Sequence, residues 1–285
     1  MRKFCAILFV AAVLCRPLFA QDASNAPVAV SLQPQAWLVD SISQGRAAVT
    51  VALPRGGDPH TFEPTPRLVR DLSRSAIYIS CGMGFEQTLT NALRGLSKDI
   101  RFFAADSGIA KRSGCGHHHG HGGHCGGRDG DPHIWMSPSL FAAMATNTAT
   151  ALREVLPASV VETGLRKTVA EIAAIGREVG EALANGKCSV LLSYHPSYAY
   201  FARRYGLRTM EIEHEGKAPS ARRLAEIVRA AKSAGVRNVL ADAARPRRAA
   251  ETAAAELGGR AIVIDTLQRD WPAMMKMLAG AICGD

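Results

Sequence analysis

The stretch LRKTVAEIAAIGREVGEALANG, residues 165–186, decides how the chain is organised. Apolar side chains recur in it at three- and four-residue spacing, with charged side chains between them; the apolar set is Leu165, Val169, Ile172, Ile175, Val179 and Leu183. This spacing predicts an amphipathic helix of roughly twenty-five residues, about 38 Å long, which Asn185-Gly186 would end. An average globular helix is shorter, so we expect this one to be shared by two lobes.

Strand-like and helical segments alternate on both sides of this helix. The predicted strands are Pro27–Leu32, Ala47–Leu53, Ala76–Ser80, Ser189–Ser193, Leu207–Ile212, Val236–Ala241 and Ala261–Ile264. Strands separated by helices favour parallel sheets with helices on both faces. The predicted fold class is therefore α/β, with two lobes, each a parallel sheet flanked by helices, joined by one long α-helix. We place the N-terminal lobe at 21–156, the linking helix at 157–185 and the C-terminal lobe at 186–285.

The first twenty residues have the layout of a secretory signal peptide. Arg2 and Lys3 precede an apolar run over residues 4–14, and Ala20 ends a region of short side chains. The run is too short and wrongly flanked for a membrane span. We therefore expect residues 1–20 to be removed and the protein to be soluble in the periplasm. Lipid anchoring at Cys15 is the alternative, which the large side chains just before that cysteine disfavour.

The charge of the chain argues against nucleic acid as a partner. Without residues 1–20 the chain has 31 lysines and arginines against 25 aspartates and glutamates, a net charge of +6. The basic residues are spread along the chain without interleaved aromatic residues, and export removes the protein from nucleic acid. We expect a monomer with a solvated basic surface.

Five cysteines remain after export: Cys81, Cys115, Cys125, Cys188 and Cys283. An odd number in an oxidising compartment leaves at least one thiol unpaired. A bridge between Cys188 and Cys283 is one expectation, and Cys81 is interpreted as structural. Cys115 and Cys125 could pair with each other or bind metal.

Residues 115–125 read CGHHHGHGGHC, within a glycine-rich loop that we place at 114–127. Imidazole and thiolate suit zinc and its transition-metal neighbours. Such a segment has little apolar surface to bury, so we expect an exposed loop that binds additional metal weakly. Its candidate ligands are Cys115, His117, His118, His119, His121, His124 and Cys125.

A separate set of ligands follows the predicted strands. His60 and His195 come after the strands that end at Leu53 and Ser193, Asp265 ends the Ala261–Ile264 strand, and His133 precedes a helix start. Ligands of parallel sheets bind beyond the carboxyl ends of the strands. Three imidazoles and one carboxylate, two from each lobe, would form a tetrahedral site for zinc or, less selectively, manganese.

Two of these histidines lie in the same tripeptide, Asp58-Pro59-His60 and Asp131-Pro132-His133. Proline restricts the residue before it and stiffens the approach to each histidine. The repeat therefore strengthens the prediction that both histidines belong to one site.

Three motifs carry a resemblance to a known family: DPHTFEPTP at 58–66, DPHIWMSP at 131–138 and YHPSYAYFARRYG at 194–206. In combination they resemble the zinc and manganese solute-binding proteins of metal ABC importers, of the ZnuA and TroA type. The likeness runs from about Pro27 to Ile282 and implies two lobes bridged by a rigid long helix. It implies His60, His133 and His195 as ligands, with Asp265 as the carboxylate ligand. A histidine-rich loop before the second histidine is similar to that of zinc-directed members.

The resemblance implies an exported high-affinity receptor that delivers zinc to an ABC-type import permease. A receptor for manganese or another divalent metal is the alternative within the family. A zinc-dependent hydrolase is disfavoured because the chain has neither His-Glu-x-x-His nor Gly-x-Ser-x-Gly, and only export would support a surface adhesin. Residues 211–215 and the segment after Asp265 depart from the family pattern, so Asp265, His214 or water could be the fourth ligand.

Overall fold

The computed structural model describes residues 25–112, 130–213 and 217–284, and the strands in these ranges form two four-stranded parallel sheets. The strands are β1 (Ala26–Val30), β2 (Ala47–Val51), β3 (Ile77–Ser80), β4 (Arg101–Ala104), β5 (Val190–Ser193), β6 (Arg208–Glu211), β7 (Val239–Asp242) and β8 (Ala261–Ile264). The order is β2-β1-β3-β4 in one sheet and β6-β5-β7-β8 in the other, so the two lobes share one topology. The predicted α/β fold with two lobes is confirmed.

Helices cover these sheets and connect their strands. They are α1 (Gln33–Ser43), α2 (Pro66–Leu72), α3 (Glu86–Leu96), α4 (Pro138–Leu152), α5 (Ala158–Asn185), α6 (Ala199–Tyr205), α7 (Ala221–Ser233), α8 (Arg248–Leu257) and α9 (Trp271–Cys283). Proline lies in the first turn of α1, α2, α4 and α9, where its missing N–H costs nothing. Within the described ranges, no helix combines the length and the apolar character that a membrane span needs.

The long helix predicted around residues 165–186 is α5, which has 28 residues and is capped by Gly186. It packs against α1 and α4 of the first lobe and against α9, which follows the last strand of the second. Four of the six predicted apolar side chains are buried, namely Ile172, Ile175, Val179 and Leu183, while Leu165 and Val169 are partly buried. The helix is therefore a shared support for both lobes.

Strand β4 is an element that the sequence pattern does not predict. Its four residues, Arg101-Phe-Phe-Ala104, place two apolar side chains next to each other, without strand alternation. Pairing with β3 aligns Ile77 with Arg101, and the Phe102 ring packs edge-on against Tyr78 at 6.2 Å between centroids. Pairing with β3, rather than a local sequence pattern, therefore makes this segment a strand.

An aromatic stack joins the two lobes beside the long helix. The ring of Trp271, at the start of α9, lies 4.4 Å from that of Phe141 and 5.9 Å from that of Trp37. The indole N–H of Trp271 donates to the carbonyl of Trp135, and that of Trp135 donates to the carbonyl of Thr266. These contacts connect the first lobe to the segment from Thr266 to Trp271 and satisfy the N–H groups of both buried indoles.

Cys188 and Cys283 form a disulfide, with 5.6 Å between their Cα atoms. It joins the segment before β5 to the end of α9 across a sequence separation of 95 residues. Cys81 is the free cysteine of the described ranges and is fully buried, where its thiol lies 3.5 Å from Glu86 Oε1. Burial raises the pKa of this thiol, which agrees with the structural interpretation of Cys81.

Replacing both bridged cysteines, as C188A/C283A, should lower the free energy of unfolding by about 2–4 kcal/mol, because the bridge restricts the unfolded chain over a long loop. Urea denaturation of the metal-free protein measures this. Wild-type protein treated with dithiothreitol should match the double variant. Equal midpoints for oxidised wild type and the double variant would contradict the expectation.

Several predicted features lie outside the described residues. They are the signal peptide at 1–20 with Cys15, the alternative fourth ligand His214, and the ligand-rich segment with Cys115, His117, His118, His119, His121, His124 and Cys125.

Candidate metal centre

Three imidazoles from three separate loops meet between the lobes. His60 ends the loop after β2, His133 precedes the 3-10 turn at Ile134–Met136, and His195 lies two residues after β5. Ring centroids are 5.1 Å apart for His60 and His195, and 5.6 Å for each of the other two pairs. One nitrogen of each ring lies within 4.8 Å of the other two, and no other such group of ligands occurs in the described ranges.

The Asp-Pro-His repeat has a structural reason beyond its proline. In each copy the aspartate Oδ1 accepts the backbone N–H of the histidine two residues later, at 2.9 Å for His60 and 3.0 Å for His133. This is an Asx turn, which fixes the backbone of the histidine. The aspartates Asp58 and Asp131 therefore position the two histidines, a role that the sequence analysis did not assign.

Carboxylates also orient two of the rings. His133 Nδ1 lies 2.8 Å from Asp131 Oδ1, and His195 Nδ1 lies 3.3 Å from Glu213 Oε1. Each contact engages Nδ1 and leaves Nε2 for another partner. His195 Nε2 is buried and has no hydrogen-bond partner among the described residues. A buried nitrogen without a partner is costly, and a metal ion would satisfy it.

The rings of His60 and His195 are held in the neutral form that ligates metal. Burial, and then the neighbouring imidazoles of His133 and His195, lower the pKa of His60 to about 3. Burial, followed by His133 and the Arg245 cation, lowers the pKa of His195 to about 3 as well. Neutral imidazole presents a lone pair to an ion, so neither of these two rings needs to lose a proton at neutral pH.

These shifts predict that the metal-free protein loses stability as the pH falls below about 6.5, where histidines of the unfolded chain gain protons. In the folded protein, His60 and His195 stay neutral down to about pH 3. The unfolded state therefore binds more protons in this window, and the free energy of unfolding falls by at most about 1.4 kcal/mol per pH unit for each histidine. Urea denaturation between pH 7 and pH 4.5 measures this slope. The variant H60Q/H195Q should show a shallower slope, and an unchanged slope would count against the assignment.

The cluster lies in a cavity of about 780 Å³ between the lobes. Asp265 and Asp242 line the same cavity, each at the end of a strand of the second lobe. Asp265 Oδ1 accepts the N–H of Leu267, and the carboxylate is not part of the histidine group. The structure thus brings three of the four predicted ligands together and places Asp265 on the wall beside them.

Sequence reasoning did not assign a function to two further residues of this centre. Glu213 is 4% exposed and holds His195, and Arg245 lies in the turn after β7. The acidic stretch 211–215 was the one signal for Glu213, since its acids depart from the family pattern. Nothing in the sequence around Arg245 indicates a role, because its partners are distant along the chain.

The comparisons with known proteins agree with this geometry. The family model described as "ZnuA: Zinc-uptake complex component A periplasmic" matches residues 28–283. The "Putative metal-binding protein" of Treponema pallidum is 24% identical over 255 residues, which are 86% of this chain and 80% of that protein. The "High-affinity zinc uptake system protein ZnuA" of Bacillus subtilis is 22% identical over 249 residues, 85% of this chain and 78% of that protein. "Zinc-binding protein AdcA" of Streptococcus pyogenes serotype M3 is 22% identical over 239 residues, which are 77% of this chain. The match covers 46% of that longer protein, so this chain spans about half the length of that relative.

Solved structures show the same architecture. A "Crystal structure of ZnuA" superposes with a TM-score of 0.81 at 30% identity, covering 90% of this chain and 98% of the other. The structure of TroA from Treponema pallidum has a TM-score of 0.74 at 16% identity, covering 90% and 99%, and shares the fold. The resemblance found in the sequence motifs is confirmed, and the chain belongs to the ZnuA family of periplasmic zinc-uptake components.

Proposed function

We propose that this protein is an exported receptor that binds one zinc ion with high affinity and delivers it to the permease of an ABC importer. The observation that carries the proposal is the convergence of three imidazoles, with one nitrogen of each within 4.8 Å of the others. Imidazole nitrogens that share a tetrahedral zinc ion are about 3.3 Å apart. A bound ion would thus draw these nitrogens together by at most about 1.5 Å.

Zinc fits the donor set better than manganese does. Three imidazole nitrogens suit zinc, whereas manganese favours carboxylate, carbonyl and water oxygen. Relatives are named zinc-binding and zinc-uptake proteins, and one solved relative at 31% identity is described with zinc bound. A more distant structure, at 15% identity, is described as manganese-bound, so manganese is the second candidate.

The fourth ligand belongs to the proposal as well. Asp265 is our assignment, supported by its position at the end of β8 in the wall of the cavity that contains the histidines. His214 and water are the two alternatives. The three candidates differ in charge, because only the Asp265 carboxylate is negative and would offset part of the positive charge of the zinc ion.

The arrangement of carboxylates favours a receptor over a hydrolase. A hydrolytic zinc site needs a general base beside an open coordination position. Asp58 and Asp131 are engaged by histidine N–H groups, and Glu213 is engaged by His195 and Arg245. These three carboxylates hold ligands in place. We therefore propose a transport receptor without enzymatic activity.

The partners and location follow from the family. The permease of a metal importer is the proposed protein partner, and the periplasm is the proposed compartment, reached through the signal peptide at 1–20 or, alternatively, with an anchor at Cys15. We propose that the receptor acts as a monomer and binds no nucleic acid, in keeping with a basic surface without aromatic interleaving.

Metal analysis and competition test this function. The mature protein is stripped with a chelator and titrated with zinc, manganese, nickel and copper against a competing chelator of known affinity. We expect one tightly bound zinc ion per chain and manganese bound orders of magnitude more weakly, as expected for nitrogen donors. Tighter binding of manganese than of zinc would contradict the zinc assignment.

The histidine-rich segment should contribute weak additional stoichiometry. Its candidate ligands, in the loop placed at 114–127, lie outside the described residues. Deleting 114–127 should leave one tight zinc ion and a normal melting curve, because the tight site uses His60, His133 and His195. Titration calorimetry of the deletion variant beside wild type measures both classes of site. Loss of the tight site on deletion would show that a loop residue is a primary ligand.

A further inference from the structure

One guanidinium joins the two lobes beside the histidines. Arg245, in the turn after β7, places a nitrogen 3.3 Å from Asp58 Oδ2 of the first lobe and another 3.3 Å from Glu213 Oε1 of the second. The side chains of Arg245, Asp58 and Glu213 are 15%, 18% and 1% exposed. Solvent screens such buried ion pairs only weakly. Removing the cation would leave a buried, unpaired carboxylate, which is costly in free energy.

Each of the two carboxylates already holds a candidate ligand. Asp58 Oδ1 accepts the N–H of His60 at 2.9 Å, and the Glu213 oxygens lie 3.3 and 3.4 Å from His195 Nδ1. Asp58 uses its other oxygen for the guanidinium, so both contacts form at once. A continuous chain of contacts therefore runs from His60 in one lobe to His195 in the other, with Arg245 at its centre.

We propose that Arg245 is a positioning residue that fixes His60 and His195 relative to each other and thereby slows release of the metal ion. This inference rests on the proposed zinc-receptor function. The guanidinium fork suits the role because it can engage two carboxylates with separate nitrogens, whereas a lysine ammonium is a single point charge. Without Arg245, Asp58 and Glu213 lose their shared partner. The Asx turn of His60 and the ring of His195 are then no longer linked, and their relative position is no longer fixed.

The sign of the effect separates positioning from simple electrostatics. A cation near a divalent ion repels it, so a purely electrostatic role for Arg245 predicts tighter metal binding when the charge is removed. Loss of positioning predicts the opposite, because misplaced ligands make an incomplete coordination shell. Residues behind metal ligands typically contribute about 10–100-fold to affinity.

Arg269 provides a matched control. It forms another ion pair between the lobes, with Asp40 Oδ2 at 2.6 Å, and the side chains of this pair are more exposed, at 36% and 40%. Asp40 lies in α1 and holds none of the histidines. Removing Arg269 therefore deletes a contact between the lobes without touching the chain of contacts from His60 to His195.

The test is the rate of zinc release into excess chelator, measured by stopped flow for wild type, R245A, R245K and R269A. We expect R245A to release zinc about 10–100-fold faster, R245K to be intermediate, and R269A to stay within about twofold of wild type. Cobalt absorption spectra of the same proteins should change for R245A and not for R269A. Release from R245A at the wild-type rate or slower, or an equal change in R269A, would overturn the proposal.

Two further outcomes are possible: R245A does not fold, or wild type does not hold zinc. If R245A does not fold, R245K and D58N carry the test, since both weaken the chain of contacts and keep most of the packing; release at the wild-type rate from both would overturn the proposal. Failure of wild type to hold zinc would instead refute the receptor function itself, so the two failures are distinguishable.

Discussion

Replacing His195 by alanine should reduce zinc affinity roughly a hundred- to thousandfold. A tight protein zinc site is worth about 10–16 kcal/mol over its ligands, so one coordination bond contributes roughly 3–4 kcal/mol. His195 is 3% exposed, and its Nε2 has no partner in the described part of the chain. Equilibrium competition with a chelator of known zinc affinity measures the change. A single tight zinc ion in H195A with wild-type affinity would refute the centre.

Two further variants, E213Q and H214A, test whether the loss of zinc affinity is specific to His195. E213Q keeps the volume of Glu213 and weakens the carboxylate that orients His195 at 3.3 Å, so a smaller loss of about 10–100-fold is expected. H214A removes the histidine that follows Glu213 in the sequence and that we do not assign as a ligand. The zinc affinity of this variant should equal that of wild type. If H214A instead matches H195A, then His214 is the fourth ligand in place of Asp265.

Replacing Gly164 by valine should lower the free energy of unfolding by more than about 4 kcal/mol. Gly164 lies in α5 where the helix touches α1, and a Cβ atom built there would be 2.0 Å from the carbonyl oxygen of Ile42 and 2.8 Å from its Cα. These neighbours are backbone atoms of a packed helix, so the clash cannot be relieved by rotating a side chain. Urea denaturation measures the loss.

Gly180, in the same helix, is the matched control. A Cβ at Gly180 would lie 3.5 Å from a ring carbon of Tyr205, an ordinary contact distance. Valine there should change stability by no more than about 1 kcal/mol, the scale of helix propensity. Similar losses in G164V and G180V would show that the helix, and not its approach to Ile42, is responsible.

Local patterns were sufficient for most of the fold. The three- and four-residue apolar spacing of residues 165–183 predicted α5, because a helix that packs on one side must bury one stripe. Seven of the eight strands in the described ranges coincide with predicted runs, with differences of a few residues at their ends. β4 was missed, since four residues with adjacent phenylalanines become a strand only beside β3.

The three histidines of the candidate site could be selected from the sequence, whereas the contacts that hold them in place could not. Strand-end position and the repeated Asp-Pro-His were enough to select His60, His133 and His195, which the fold brings together. The contacts that hold the rings, from Glu213 and through Arg245, join residues 18 and 32 positions apart, and no local pattern encodes them. Asp265 as a ligand stays a prediction.

The sequence by itself therefore determined the class of the protein: two parallel α/β lobes, a long shared helix and three histidines that follow the Asp-Pro or strand signals. These follow from periodicity and turn chemistry, which act over a few residues. Only the tertiary structure decided how close the rings come, which nitrogen of His133 and of His195 contacts a carboxylate, and how low the pKa values of His60 and His195 fall. These properties depend on burial and on charges from both lobes, and such contacts exist only when the chain has folded.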